Sequence, residues 1–171
     1  VVKNGVEEAA KHTGANVEYR APETFDMIAM SQLIDAAINQ EPDGLVVSVP
    51  DADALGPSIQ AAIAAGIPVI SMNSGGDAAK ALGALLHVGQ SEYDAGRAAG
   101  EKMAELGGKH ALCINHEVGN ISLDDRCAGF AEGFGGQVDV MPTTNDPSEI
   151  QSKVQASLES NPDINAVIAL G

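Results

Sequence analysis

The sequence predicts an α/β fold in which parallel strands form sheets covered by helices on both faces. Apolar runs and helical patterns take turns along the whole chain, which is typical of successive strand–helix–strand units. Runs such as "LVVSV" at 45–49 contain few polar residues, as expected of strands that are buried on both faces. Glycine, proline, asparagine and aspartate separate these segments and mark the turns between them.

The first half of the chain is predicted to contain three helices and four strands. Apolar side chains at helical spacing occupy 1–14, with Gly14 as a C-cap, and recur over 27–39 and over 55–66, which ends at Gly66. Alternating or apolar runs predict strands over 15–22, 45–49, 67–72 and 84–89. The helix over 55–66 would therefore connect two parallel strands of one sheet.

The second half of the chain repeats the same alternation. A helix is predicted to begin at Ser91, because a serine followed by Glu92 is typical of a helix start. The predicted helices cover 91–108, 122–134 and 146–160, and the predicted strands cover 110–115, 138–142 and 164–170. Every helix of this half is thus followed by a strand, which again favours a parallel sheet.

An internal similarity bears on the domain organisation. "QLIDAAINQEPDGLVVSV" at 32–49 and "KVQASLESNPDINAVIAL" at 153–170 share an apolar helix, a Pro-Asp pair and a buried strand. Either any two helix–strand units share this pattern, or the chain contains two similar lobes. We predict two Rossmann-like three-layer lobes with parallel sheets, each incomplete, over 1–90 and 91–171, with the joint at residues 89–91.

Composition excludes several classes of function. The chain has 171 residues and a formal net charge of −15, so phosphate backbones and anionic lipid would repel it and we expect no nucleic-acid partner. Of its two cysteines, Cys113 and Cys127, neither number nor spacing suggests a metal site. We expect two buried apolar thiols there, with a disulfide as the alternative.

The predicted strands end in short polar side chains. In open α/β sheets, ligands bind beyond the carboxyl ends of the strands, so these residues are candidates for a binding site. They include Ser48, Asn73, Ser74, Gln90, Ser91, Asn120 and Asp124, as well as Asp53 and Asp146, which serve equally well as helix caps. Amides, hydroxyls and carboxylates with almost no lysine or arginine suit a neutral polyhydroxylated molecule better than a phosphate.

The sequence predicts no enzyme activity, cofactor or metal. It contains neither a glycine-rich phosphate loop with lysine nor a Gly-x-Ser-x-Gly nucleophile elbow. His116 and Glu117 are adjacent at a strand end, where neighbouring side chains tend to point apart. Asp124 and Asp125 have no histidine or further carboxylate at a ligand spacing. A binding role remains the favoured class.

Three segments resemble one known family. "GIPVISMNS", "HVGQSEYDAGRAAG" and the R-x-x-G-F element of Arg126, Gly129 and Phe130 are similar to the type I, ribose-binding-protein-like periplasmic binding proteins of ABC importers. That family shares its core with LacI-type repressors, so the effector-binding core of a repressor is the alternative. The resemblance implies two hinged lobes that close on a monosaccharide or polyol, an ABC transporter permease as partner, and a periplasmic location reached through a signal peptide.

The resemblance also implies which residues contact the sugar. The polar residue after "LVV" corresponds to Ser48, and an Asp-Arg pair of ribose binders corresponds to Asn73 and Ser74. A loop residue corresponds to Asn120, and a sugar-binding arginine corresponds to Asp124. Both arginines are therefore replaced, which implies that the sugar is held differently from ribose.

The family comparison also gives an expectation about the ends. Relatives begin with a strand whose end supplies aromatic side chains to the sugar, and they continue beyond "VIALG" into further ligand residues. We expect this chain to hold part of each lobe. Sheet edges left open in this way would favour self-association.

Overall fold

The computed structural model describes residues 2–170, which form two three-stranded sheets and seven helices. The helices are α1 (Val2–Thr13), α2 (Met27–Ile38), α3 (Ala52–Ala64), α4 (Gly76–Ala81), α5 (Glu92–Glu105), α6 (Ile121–Phe134) and α7 (Pro147–Ser160). The strands are β1 (Leu45–Val47), β2 (Val69–Met72), β3 (His87–Val88), β4 (His110–Asn115), β5 (Gln137–Pro142) and β6 (Ala166–Ala169). The predicted helical start at Val1 and the glycine at 171 lie outside the described residues.

All strand pairs within the two sheets are parallel, which confirms the predicted α/β class. The first sheet has the order β1-β2-β3, and the second has the order β5-β4-β6. In the second sheet Cys113 of β4 lies beside Val140 of β5 and Ile168 of β6. β3 is the last strand of the first sheet and α5 follows it, close to the predicted joint at 89–91. The lobe limits 1–90 and 91–171 stay a prediction.

Each sheet has its own apolar core. Leu55 and Ile59 of α3 are fully buried against Val47 and Val69 of the first sheet. On the second sheet, Phe130 is fully buried with other apolar side chains of α5, α6 and the strands. Burial of such side chains stabilises each unit by about 1.5–3 kcal/mol per residue. The two cores hold the strand ends, and therefore the polar loops, in place.

α5 and α6 pack closely because glycines line their contact. A Cβ atom added at Gly129 would lie 2.0 Å from the carbonyl oxygen of Tyr93, and one at Gly133 would lie 2.0 Å from that of Arg97. On the facing helix, a Cβ at Gly96 would lie 2.2 Å from the carbonyl oxygen of Arg126. The backbones therefore approach to a distance that no larger side chain permits.

The predicted strand over 15–22 is wrong, because these residues form neither helix nor strand. A strand requires a hydrogen-bonded neighbour, and β1 of the first sheet pairs only with β2 among the described residues. Val17 and Tyr19 of this segment are exposed. The sequence also did not predict α4, a six-residue helix that follows β2. Of the described helices, none has the length and apolar character needed to cross a membrane.

The expectation of two free thiols is also wrong. Cys113 of β4 and Cys127 of α6 form a disulfide between residues 14 apart in sequence. α6 folds back over the second sheet and brings the two Cα atoms to 6.0 Å, within the range that a disulfide bridges. Both cysteines are buried beside Leu123 and Leu170, so the bond ties the helix to the middle of the sheet.

Candidate functional site

A cleft of about 520 Å³ lies where the first sheet faces the helices of the second. The loop after β2, called the Asn73 loop (residues 73–75), supplies one wall. A second wall is formed by β3 and by the segment between β3 and α5, called the crossing (residues 89–91). The first turns of α5 and α6 complete it with Glu92, Tyr93, Ile121, Ser122 and Asp125. The cleft therefore sits at carboxyl ends of parallel strands, where the sequence placed its polar candidates.

Asn73 lines this cleft, as do the strand-end candidates Gln90 and Ser91. It follows β2 directly, is exposed, and has a left-handed backbone with φ of 65°. Asparagine tolerates this conformation better than most residues. Its N–H donates to the carbonyl oxygen of Val88 at 3.0 Å, and its side-chain Nδ2 donates to Ser74 Oγ at 3.2 Å. Its side-chain oxygen remains available as an acceptor.

Ser74, although predicted as a site residue, is buried beneath Asn73 and does not line the cleft. Its carbonyl oxygen accepts from the N–H of Val49 at 3.1 Å, which ties the loop after β2 to the loop after β1. Ser48 is half-buried directly after β1 and also lies outside the cleft lining. In this structure both serines support the wall rather than form it.

Asn120 and Asp124 lie at the start of α6, just behind the cleft. Asn120 is the N-cap: its side-chain oxygen accepts from the N–H of Ser122 at 3.1 Å, and its Nδ2 donates to Glu117 at 2.8 Å. Asp124 accepts from Nδ2 of the buried Asn115 at 2.7 Å. The structure thus joins these two predicted residues in a network that fixes α6, and brings neither into the cleft lining with Asn73.

The reasoning from sequence missed several side chains of the cleft. Asp125, named in the sequence beside Asp124, does line the cleft from α6. Ser122, His87 and Tyr93 belong to α6, β3 and α5. The strand-end rule names loop residues, whereas these lie within regular elements. A signal was present for Ser122, because it directly follows a predicted strand-end loop at the start of a helix. No local pattern distinguishes His87 or Tyr93.

Acidic side chains dominate the charge of the cleft. Partial burial raises the pKa of the Asp125 carboxyl, and the negative charges of Asp124, Asp77 and Glu92 raise it further. Lys80 is the cation of the lining. A carboxylate or phosphate of a ligand would meet the same repulsion, so the geometry favours an uncharged ligand with hydroxyl groups.

The negative charge of Glu92 is partly neutralised by Arg126, which belongs to the R-x-x-G-F element of the sequence. The guanidinium Nε of Arg126 donates to Glu92 Oε2 at 2.5 Å, and both side chains are largely buried. A second nitrogen of Arg126 lies 3.4 Å from the carbonyl oxygen of Leu170. Arg126 therefore links α6, α5 and the end of β6 behind the cleft. Within residues 2–170, no group of three histidine, cysteine or acidic side chains is placed to hold a metal.

Comparison with known proteins places this architecture in a family. The model of the periplasmic binding protein domain matches residues 1–171. The xylose/arabinose-binding protein XylF of Sulfolobus acidocaldarius is 28% identical, over 97% of this chain and 44% of that protein.

Solved structures give the same result. A carbohydrate transporter from Acidothermus cellulolyticus 11B, in complex with myo-inositol, is 36% identical with a TM-score of 0.95, covering 99% of this chain and 59% of that one. A periplasmic sugar-binding protein of an ABC sugar transporter from Legionella pneumophila is 27% identical with a TM-score of 0.91, covering 98% and 63%. The chain thus spans less than two thirds of the length of these relatives.

Proposed function

The chain belongs to the periplasmic binding protein domain family, and from this premise we propose that it captures a neutral monosaccharide or polyol between two hinged lobes. The observation that carries the proposal is the cleft of about 520 Å³ between the two sheets. Its volume lies within the ordinary range of small-molecule sites, about 300–1,000 Å³. Its lining offers an amide, hydroxyls and carboxylates, which pair with the hydroxyls of a sugar.

Asn73 is the residue we propose to contact the ligand directly from the first sheet. Its amide lies at the cleft wall, and its backbone is held by the hydrogen bond to Val88. Ser48, Ser74, Asn120 and Asp124 are proposed as members of the same site, reached when the lobes close further. Hinged closure of this kind moves side chains that flank an open cleft onto the ligand.

The relatives suggest which ligands to test first. One relative has myo-inositol bound, and another is a xylose/arabinose-binding protein. A cyclic polyol and a pentose both present several hydroxyls and no charge, which fits the acidic lining described above. We therefore propose a polyol or pentose as the ligand class. Binding requires no chemical step, so no catalytic group is assigned.

The proposal extends to location and partner. We propose a periplasmic protein that delivers its ligand to the permease of an ABC importer, in line with the family and with the sugar-transport relatives. The buried disulfide between Cys113 and Cys127 supports an oxidising compartment, because cytosolic thiols are kept reduced.

Self-association through an open sheet edge remains a further proposal. β3 is an edge strand of its sheet; Val88 on it is 62% exposed, and Leu86 just before it is 51% exposed. Apolar edge strands of this kind favour pairing with a second chain. Light scattering over a range of concentrations tests it: a molar mass that rises with concentration supports pairing, and a constant monomer mass contradicts it.

Calorimetric titration tests the binding function. The protein in its natural length is titrated with myo-inositol, xylose and arabinose, and with a uronic acid as the charged comparison. We expect one neutral ligand to bind and the uronic acid to bind at least about fivefold more weakly, since repulsion of one unit charge in the cleft costs about 1 kcal/mol or more.

Two variants locate the site. Asn73→Ala should weaken binding about tenfold or more, because it removes a hydrogen-bonding partner of the ligand. Asn4→Ala, on the exposed α1, changes the same residue type away from the cleft and should leave affinity unchanged. The proposal would be contradicted if no ligand of the panel gave a binding heat, or if both variants bound the ligand with equal affinity.

A further inference from the structure

His87 occupies a fixed position between two walls of the cleft. It lies on β3 beside Ser71 of β2, and its Nδ1 lies 2.9 Å from the Ser71 hydroxyl oxygen. Ser71 is fully buried, so its hydroxyl has no access to water as an alternative partner. A hydrogen bond made under these conditions fixes the imidazole ring in one orientation.

Two glycines pack against this ring. A Cβ atom added at Gly76 would lie 2.8 Å from Cδ2 of His87, and one added at Gly89 would lie 2.3 Å from Nε2. For both glycines, the three atoms nearest to the added Cβ belong to His87. Neither has a positive φ, so backbone conformation does not require glycine at either position. The His87 ring therefore occupies the space that a side chain at either position would need.

These two glycines belong to the segments that form the cleft walls. Gly76 starts α4, three residues after Asn73, and Gly89 begins the crossing that carries Gln90 and Ser91. The His87 ring therefore lies between the Asn73 loop and the crossing. The hydrogen bond from the N–H of Asn73 to Val88 ties the same loop to the residue after His87.

We propose that His87 is a positioning residue whose ring, fixed by Ser71, sets the spacing between the Asn73 loop and the crossing and so presents Asn73 to the ligand. The expected effect on ligand affinity rests on the proposed binding function. The spacing itself rests only on the contacts of the His87 ring with Gly76 and Gly89. In this role Nδ1 is engaged by Ser71, and the two glycines lie closest to Cδ2 and Nε2 of the ring.

A double-mutant cycle tests the spacing role. Gly89→Ala forces the ring to move and should weaken binding of the neutral ligand about tenfold, a typical effect for coupled neighbours. Replacing the ring removes the clash, so adding Gly89→Ala to His87→Ala should lower the ligand affinity by less than about twofold. Gly76→Ala should behave in the same way. Gly5→Ala, where an added Cβ meets nothing within 4 Å, is the matched control.

A second pair of variants tests the hydrogen bond. His87→Asn keeps a polar atom near the position of Nδ1 and should retain more of the affinity than His87→Leu, which keeps bulk but has no polar atom. Ser71→Ala should weaken binding in the wild-type background and have no further effect on His87→Leu. Equal losses of affinity in His87→Asn and His87→Leu would overturn the proposal. So would a full effect of Gly89→Ala in the His87→Ala background.

A ligand-free measurement separates this inference from the proposed function. Hydrogen exchange of residues 71–76 and 87–91 should speed up in Gly89→Ala and return toward the rate of His87→Ala in the double variant. If no sugar binds the wild type but this coupling holds, the binding proposal fails and the spacing role of His87 stands. If sugar binds but the exchange rates change independently, the spacing role is wrong.

Discussion

The carbonyl oxygen of Pro50 accepts a hydrogen bond from the backbone N–H of Ile121 at 3.1 Å. Pro50 lies in the loop after β1 of the first sheet, and Ile121 is the first residue of α6, which covers the second sheet. The first N–H groups of a helix have no partner within the helix, so this one is free to bond to a loop of the other sheet. The loop "SVPDADAL" thus connects the two halves of the molecule as well as starting α3.

Removal of this hydrogen bond should weaken ligand binding while leaving the fold intact. Ile121→Pro deletes the N–H at the first helical position, where proline is well tolerated, and Asn120 before it already has an extended backbone with ψ of 107°. Loss of one hydrogen bond predicts about a two- to tenfold lower affinity by calorimetry. Ile121→Ala, which keeps the N–H, is the control; equal affinities of the two variants would count against the prediction.

The disulfide should contribute substantially to stability. A loop closed between residues 14 apart predicts about 3 kcal/mol of stabilisation, chiefly because the bond restricts the unfolded chain. Denaturant unfolding of the protein with and without reductant measures this difference in the free energy of unfolding. Cys113→Ala with Cys127→Ala should unfold like the reduced protein and show no response to reductant. A response of that double variant would exclude the disulfide as the cause.

The helix contact of α5 and α6 should not tolerate an added methyl group. Gly129→Ala places a Cβ at 2.0 Å from the Tyr93 carbonyl oxygen, which forces the helices apart and should destabilise the protein by about 2–3 kcal/mol. The comparison is Gly5→Ala in α1, where space is open and helix propensity predicts a gain of about 0.5–1 kcal/mol. Thermal unfolding of both variants measures the contrast, and similar melting temperatures would refute it.

The pair of His110 and Asp139 should make stability depend on pH in the acid range. Nε2 of the buried His110 lies 2.8 Å from Asp139 Oδ2, and this hydrogen bond, with a smaller one from Gln137, lowers the pKa of the Asp139 carboxyl. A lowered folded-state pKa gives stability that is present above the unfolded pKa, about 3.9, and is lost as the pH falls through the folded value.

Asp139→Asn is therefore expected to be less stable than the wild type at neutral pH, with the difference shrinking as the pH falls below about 4. Urea unfolding at a series of pH values measures the difference in the free energy of unfolding. Asp163→Asn, at an exposed turn, serves as the comparison. A difference between Asp139→Asn and wild type that stays constant down to the lowest pH would show that the ionised carboxylate is not responsible.

Local patterns predicted most of the elements. The helix starts at Ser91 and Asp146 are confirmed as N-caps, since each side chain accepts from an N–H two or three residues later. Asp53, expected as a possible cap, lies in the first turn of α3, and Asp51 makes the cap bond. The strands predicted over 110–115 and 67–72 are also confirmed, as β4 over 110–115 and β2 over 69–72, because their apolar runs exceed what a solvent-exposed segment would carry.

The sequence by itself determined the α/β class, the parallel strands and the polar strand ends, because periodicity, caps and turn residues act over a few neighbouring positions. Only the tertiary structure decided that 15–22 has no strand partner, that Cys113 meets Cys127, and that His87 stands between two glycines. Each of these depends on which elements lie side by side. Such contacts join residues far apart in the chain, and no local preference encodes the distance between them.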